Sequence, residues 1–313
     1  MRTLLSAAAL LVATAFGGTA QANDPLVSVD WPKANLGKPG VVVVDVRSPG
    51  KDEPADLFER SHIPGAVHAD YVTAGWRKTI GGVPGMLPPK ADLEKLIGGL
   101  GIDNQSHVIV VPAASDSTEF GNATRVYWTF KVSGQENVSI LDGGFRAWSA
   151  DRSALLEAGP SAPKAKTFTV NLQPKYLATE AEVKQALNDG TPLIDARPAA
   201  QYEGKSKSDV VKAFGTLPHA VNLEHSKLVS AGSGKFASAD TVKGLLAKLG
   251  VKSEGKEITF CNTGHWASVA WFAASEVAGN KSAKMYDGSM AEWTTDPSLP
   301  VERKAEPVAA EKK

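Results

Sequence analysis

The run Val41-Val42-Val43-Val44-Asp45-Val46-Arg47 is apolar and β-branched, and it ends in charged residues. Continuous apolar runs of this kind are typical of parallel strands that are buried on both faces of a sheet. A second run, Pro192-Leu193-Ile194-Asp195-Ala196-Arg197, repeats the pattern 150 positions later and has the same Asp-x-Arg ending. The repeat predicts that the chain builds the same strand twice.

Three further pairs of segments recur in the same order along the chain. They are Ile63–His68 with Leu217–Asn222, His107–Val111 with Lys256–Phe260, and Leu141–Trp148 with Met285–Trp293. Four ordered matches at a nearly constant offset indicate a duplicated domain of about 140 residues.

Helical patterns lie between these strands. Apolar residues fall at helical spacing over Lys90–Leu100, and Ala123–Val132 and Ala267–Val277 also predict helices. Alternation of strands and helices predicts an α/β fold, in which each domain is a mainly parallel sheet flanked by helices.

The first 22 residues have the pattern of a signal peptide. Arg2 gives a positive start, Leu4–Phe16 is apolar, and Ala20-Gln21-Ala22 is a small-residue cleavage site. The apolar stretch is shorter than the roughly 20 residues that a spanning helix needs. We therefore expect an exported, periplasmic protein without a membrane span.

The remaining chain divides into four parts. We predict a non-catalytic domain over 23–155, a Pro- and Lys-rich linker over 156–167, a catalytic domain over 168–302, and a flexible tail over 303–313. The second domain is expected to open with a strand over Phe168–Leu172. Because the duplicated domains already form an internal pair, we expect a monomer.

The charge balance argues against a nucleic-acid partner. The chain has 34 Lys and Arg against 34 Asp and Glu, and no basic cluster is interleaved with aromatic residues. The histidines show no metal-ligand spacing, so no metal is expected.

Cys261 is the only cysteine in the chain. It lies in Ile258-Thr259-Phe260-Cys261-Asn262-Thr263-Gly264-His265-Trp266-Ala267-Ser268, between a predicted strand and a predicted helix. A thiol there is close to unpaired N–H groups and to the positive end of a helix dipole, which favours the thiolate. The alternative is a buried structural cysteine. A single cysteine excludes an intrachain disulfide and two-cysteine redox or zinc sites.

The ordered motifs together resemble the tandem-domain rhodaneses, the thiosulfate and 3-mercaptopyruvate sulfurtransferases. The motifs are Asp-Val-Arg (45–47), His-Ile-Pro-Gly-Ala-Val-His (62–68), Met-Leu-Pro (86–88), Leu-Asp-Gly-Gly-Phe-Arg-Ala-Trp (141–148), Asp-Ala-Arg (195–197), Cys-Asn-Thr-Gly-His-Trp-Ala (261–267) and Tyr-Asp-Gly-Ser-Met-Ala-Glu-Trp (286–293). The resemblance implies catalysis by the second domain alone, and Pro112 indeed stands where Cys261 would fall in the first copy.

The resemblance also implies a reaction. Cys261 would take sulfur from thiosulfate as a persulfide, held by the N–H groups of residues 262–267, and pass it to cyanide, a thiol or a protein thiol. No cofactor is implied. Phosphatases of this fold carry Arg at the position of Ala267, so phosphatase activity is not expected.

Two alternatives to a thiosulfate enzyme stay open. One is a sulfur-carrier or binding rhodanese with low turnover, because the loop Asn262-Thr263-Gly264-His265 is unusual. The other is a 3-mercaptopyruvate sulfurtransferase, although that type typically has Cys-Gly-Ser-Gly, a second arginine where this chain has Glu203, and a histidine where it has Gly85.

Several residues are candidates for binding the donor. His265 would supply a missing cation, Asn262 and Thr263 would donate hydrogen bonds, Gly264 would permit an unusual backbone angle, and Trp266 would form a wall. Arg197 would contact the substrate, but Arg47 in the copy without cysteine argues equally for a structural brace. From the first domain, Trp76-Arg77-Lys78 would steer anions or lie in a solvated loop.

Overall fold

The structure is a computed structural model, and it describes residues 24–305. The predicted signal peptide and residues 306–313 lie outside this range. Within it, no helix is both long enough and apolar enough to cross a membrane.

The first domain is a five-stranded parallel sheet in the order β1-β7-β6-β2-β3, with a separate antiparallel hairpin of β4 and β5. Its elements in chain order are β1 (Leu26–Val27), α1 (Asp30–Asn35), β2 (Val41–Asp45), α2 (Leu57–Arg60), β3 (Val67–His68), β4 (Lys78–Ile80), β5 (Val83–Met86), α3 (Lys90–Gly99), β6 (His107–Val111), α4 (Ser117–Val132), β7 (Val138–Leu141) and α5 (Gly144–Ala150).

The second domain repeats this arrangement, with its parallel sheet in the order β8-β12-β11-β9-β10. Its elements are β8 (Leu177–Ala178), α6 (Glu180–Asp189), β9 (Leu193–Asp195), α7 (Ala199–Tyr202), β10 (Val221–Asn222), α8 (Ala239–Lys248), β11 (Glu257–Phe260), α9 (His265–Trp271), β12 (Ala283–Tyr286) and α10 (Ser289–Trp293). Short 3-10 turns cover Pro174–Tyr176 and His225–Lys227. The predicted fold class is confirmed, because both copies have the same strand order.

The two domains share one hydrophobic core, in which α4 packs against α9. Polar pairs cross the same contact: the hydroxyls of Thr124 and Ser268 are 2.8 Å apart, and Tyr127 donates to Glu276 at 2.8 Å. The helix that begins with α9 continues over Phe272–Val277 as a π-helix, where the sequence predicts a regular α-helix. The catalytic candidate thus lies beside a face of the first domain.

Two predicted segments differ in the structure. Phe168–Leu172 is not a strand, because Phe168 and Val170 insert into the shared core and Asn171 donates its backbone N–H to Ser133 of the first domain. The first strand of the second sheet is β8 instead. Residues 303–305, predicted as tail, are held by bonds from Arg303 Nε to the Gly204 carbonyl and from Ala305 N–H to the Glu203 carbonyl.

Candidate active site

Cys261 directly follows β11, and only 1% of its surface is exposed. The loop then runs through Asn262 and Thr263 to Gly264, whose φ of 75° is a left-handed conformation that glycine adopts without strain. His265 begins α9. The structure therefore has the strand-to-helix turn that the sequence predicts, with the thiol inside it.

Ser289 lies behind the loop and binds part of its backbone. Its hydroxyl accepts from the N–H groups of Cys261 at 3.0 Å and Gly264 at 3.1 Å, and it donates to the Tyr286 carbonyl at 2.9 Å. The expectation that all the N–H groups from 262 to 267 serve an anion is thus wrong for Gly264. The first N–H groups of α9 remain, since a helix has no internal acceptor for them.

A buried ion pair braces the same turn from the first domain. Arg125 Nη1 of α4 lies 2.5 Å from Asp287 Oδ1, and the side chains are 0% and 4% exposed. Arg125 Nη2 also donates to the Gly85 carbonyl at 3.1 Å, and the Leu87 N–H donates to Asp287 Oδ2 at 2.6 Å. A Cβ on Gly264 would lie 2.3 Å from Arg125 Nη1, so the absence of a side chain there is a packing requirement.

His265 is partly buried between the domains and is not the cation that the sequence predicts. Its Nε2 lies 3.0 Å from the Thr118 carbonyl, which can only accept, so Nε2 carries the proton. Nδ1 then accepts from the Tyr71 hydroxyl at 2.7 Å. Burial, assisted by the positive charge of Arg77, lowers the pKa of His265 to about 3. The ring is therefore neutral at ordinary pH.

Space for this ring comes from a glycine in α4. A Cβ on Gly121 would lie 2.8 Å from His265 Nε2. The Tyr71 hydroxyl that holds Nδ1 in turn accepts from Arg77 Nη1 at 3.0 Å. Burial raises the pKa of Tyr71, and the negative charge of a Cys261 thiolate acts in the same direction. Arg77, Tyr71, His265 and Cys261 therefore belong to one electrostatic environment.

Trp266, predicted to form a wall of the donor site, stacks on the ring of His225. The two rings are stacked 4.4 Å apart at 6°, and Trp266 Nε1 donates to the Thr118 hydroxyl at 3.2 Å. Nδ1 of His225 lies 2.8 Å from the Ser117 hydroxyl, and burial lowers the pKa of His225 to about 4. Both rings pack against the start of α4.

Asn262, Thr263 and Ala267 have different surroundings. Asn262 Nδ2 donates to Gln201 Oε1 at 2.8 Å, and among the described residues its buried Oδ1 has no hydrogen-bond partner. Thr263 abuts Gly85, where an added Cβ would lie 2.9 Å from the Thr263 carbonyl oxygen. The Ala267 side chain is fully buried, and its carbonyl accepts from the Thr259 hydroxyl.

Arg197 is a structural brace, and its predicted substrate contact is not supported. Its guanidinium binds both carboxylate oxygens of Asp195 at 2.6–3.1 Å and donates to the Gly215 carbonyl at 2.9 Å, all in a buried position. Arg47 makes the same contacts with Asp45 and the Ser61 carbonyl in the domain without the thiol. The repeat of the pair explains the shared Asp-x-Arg motif by local structure alone.

Four residues near the loop were not among the predicted site residues. Tyr71, Thr118 and Arg125 come from the first domain, and no local pattern links them to a loop more than 130 positions away. Ser289 belongs to the segment 285–293 that matches 141–148 of the first copy, where Gly144 takes its place, so the sequence marks its position but not its role. Over residues 24–305, no group of three or more His, Cys, Asp and Glu side chains could hold a metal ion.

The comparisons with known proteins agree with this geometry. A family model described as Rhodanese-like domain matches residues 28–151 and 179–296. A putative thiosulfate sulfurtransferase from Haloferax volcanii is 30% identical over 292 residues, covering 90% of this chain and 97% of that protein. The 3-mercaptopyruvate sulfurtransferase of Escherichia coli is 29% identical over 282 residues, covering 88% and 97%.

A solved structure matches over a similar range. The crystal structure of SseA from Escherichia coli, described as a 3-mercaptopyruvate sulfotransferase with the rhodanese fold, superposes with a TM-score of 0.71 and 26% identity. The match covers 87% of this chain and 100% of that one.

Proposed function

The chain belongs to the rhodanese-like family in its two-domain form, and we propose that it is a thiosulfate sulfurtransferase whose nucleophile is Cys261. Both curated relatives above are sulfurtransferases, and the alignments span nearly all of each, so sulfur transfer is the reaction of this chain. The donor, the acceptor and the residue roles are the proposal.

The first half-reaction loads the enzyme. The Cys261 thiolate attacks the outer sulfur of thiosulfate, a new S–S bond forms, and the S–S bond of the donor breaks. The bonding electron pair leaves with sulfite, and the charge of the persulfide lies beside the free N–H groups at the start of α9. The buried Asn262, whose Nδ2 is held by Gln201, fixes the loop next to the sulfur.

The second half-reaction unloads it. Cyanide, or the thiolate of a small or protein thiol, attacks the outer sulfur of the persulfide, and the electron pair of the broken bond returns to Cys261 as a thiolate. The two halves share one site in turn, so the kinetics are ping-pong.

The observation that carries the proposal is the position of the thiol. Cys261 is enclosed by its own loop and by the first domain, and an enclosed thiol favours a slender donor such as thiosulfate. Two features disfavour 3-mercaptopyruvate. Thr263 occupies the space above Gly85, and Glu203 pairs with Lys205 at 2.5 Å where a carboxylate-binding arginine would be needed.

One assay separates the three candidate functions. We expect steady formation of thiocyanate from thiosulfate and cyanide, and its loss in Cys261→Ser. Loading of one sulfur on Cys261 by intact mass with negligible turnover would instead indicate a sulfur carrier. Faster turnover with 3-mercaptopyruvate would assign the other enzyme. If no sulfane donor loads Cys261, the proposal is wrong.

The location and the assembly are also proposals. The pattern of residues 1–22 favours export to the periplasm, and the internal pairing of the domains favours a monomer. Sequencing the N-terminus of the secreted chain tests the first, and light scattering tests the second. A mature chain that retains Met1 would contradict export with cleavage.

A further inference from the structure

Arg77 is a cation of the first domain without a carboxylate partner. Among the described residues, no Asp or Glu lies within ion-pair distance of it, whereas Arg47, Arg125 and Arg197 each hold a buried Asp. Arg77 is half-buried, next to the fully buried Trp76, whose Nε1 donates to the Ala69 carbonyl at 3.0 Å. The backbone at Arg77 is thus fixed by its neighbour, whereas the charge of the Arg77 side chain has no carboxylate partner among the described residues.

The guanidinium of Arg77 is connected to His265 through the Tyr71 hydroxyl. Nη1 donates to the Tyr71 hydroxyl at 3.0 Å, and the guanidinium carbon lies 5.4 Å from the centre of the Tyr71 ring. That hydroxyl uses its own proton on His265, so it accepts from Arg77 and cannot neutralise it. Within residues 24–305, Nε and Nη2 make no hydrogen bond to protein, which leaves a pair of parallel donors of the kind that binds two oxygens of one anion.

Among the described residues, the other basic side chains considered for the site are neutral or already paired with a carboxylate. His265 is neutral, Arg125 is occupied by Asp287, and Arg197 is occupied by Asp195. The donor of a rhodanese persulfide is an anion, and a half-buried anion requires a compensating charge. Arg77 meets this need from the opposite domain.

We propose that Arg77 binds the anionic oxygens of the sulfur donor, so that the first domain supplies the charged half of the donor site and the loop supplies the sulfur half. Tyr71 is a positioning residue: it fixes the guanidinium of Arg77 and the tautomer of His265 together. The ligand class is a small anion whose oxygens are one or two bonds from a transferable sulfur. This inference rests on the proposed persulfide chemistry at Cys261.

The test compares Arg77→Gln, Arg77→Lys and the wild type. We expect Arg77→Gln to lower kcat/KM for thiosulfate about 10- to 100-fold, chiefly through KM, since one charge-assisted contact is lost. Arg77→Lys should recover part of the loss, because it restores the charge without the paired geometry. The matched control is Arg60→Gln, an exposed arginine of the first domain that pairs with Asp56 at 2.8 Å, and it should stay within about twofold of the wild type.

The two half-reactions supply a second readout. In ping-pong kinetics, kcat/KM for the acceptor reports only the unloading step, so Arg77→Gln should change the value for cyanide less than about twofold. A parallel loss for donor and acceptor would show general damage and overturn the proposal. Running 3-mercaptopyruvate beside thiosulfate identifies which anion Arg77 serves, since only that donor should lose affinity.

Failure of this inference differs from failure of the proposed function. If thiosulfate loads sulfur onto Cys261 in the wild type and Arg77→Gln has an unchanged KM, the inference is wrong and the sulfurtransferase proposal stands. If the wild type loads no sulfur from either donor, the proposed function fails whatever Arg77 does.

Discussion

Arg125→Met should destabilise the fold strongly, because it leaves a buried charge without its partner. Asp287 is 4% exposed, and its pairing with Arg125 joins α4 of the first domain to the turn between β12 and α10, which packs against Gly264 of the Cys261 loop. Removing one partner of a buried pair typically costs about 3–5 kcal/mol of unfolding free energy. Methionine keeps much of the stem volume, so the loss of charge dominates the effect.

A double-mutant cycle isolates the ion pair from other effects. Asp287→Asn should also destabilise, whereas Arg125→Met with Asp287→Asn should be more stable than the sum of the single changes by about 2 kcal/mol. The asparagine keeps an oxygen for the Leu87 N–H. Arg60→Met is the control: its pair with Asp56 is exposed, and such pairs contribute less than about 1 kcal/mol.

Urea unfolding at neutral pH measures the stabilities, and kcat/KM for thiosulfate measures the site. We expect Arg125→Met to lower kcat/KM about tenfold, because Gly264 packs directly on the guanidinium. If Arg125→Met costs less than about 1 kcal/mol and additivity holds in the cycle, the pair does not couple the domains and the reasoning is refuted.

Two further predictions concern a buried carboxyl and a glycine. Burial raises the pKa of Glu257 to about 7, so its contribution to stability is full below its ordinary pKa and is lost as pH rises through 7. Between pH 4.5 and pH 8, the free energy of unfolding of Glu257→Gln, measured with urea, should therefore rise by about 3 kcal/mol relative to that of the wild type. Parallel pH profiles of the two proteins would contradict this. Gly121→Ala places a Cβ 2.8 Å from His265 Nε2 and should lower kcat/KM for thiosulfate at least tenfold. The control is Gly99→Ala, on a helix with open space around that position, which should leave kcat/KM unchanged. Equal activity of the two variants would show that the His265 ring is not held as described.

The fold was predictable because its signals are local and occur twice. The apolar runs at 41–46 and 192–196 and the Asp-x-Arg endings predict the strands, and the offset between the copies predicts the second sheet from the first. The Phe168–Leu172 segment misled because its apolar residues are buried against the first domain rather than in a strand. A pattern of apolar residues indicates that a segment is buried, but it does not show which part of the protein the segment packs against.

The site was predictable only in its own loop. Cys261 and the turn around it follow from the strand, the helix and the absence of a cysteine at Pro112. His265 was misjudged because its neutral state depends on burial and on the positive charge of Arg77, both of which come from packing against the first domain. For Arg197 the sequence left both a substrate contact and a structural brace open, and the bond of its guanidinium to Asp195 supports the brace.

The close fit of α4 to the loop that begins at Cys261 has a consequence for how this sequence can vary. Gly121, Arg125 and Thr118 lie in the domain without the cysteine, yet each packs against Gly264 or His265 of the other domain. Substitutions on this face should therefore be tolerated only together with changes at 264 and 265, and the pairs should vary in concert among related chains. Exchange of whole first domains between relatives should fail at this face even where both parents fold and function.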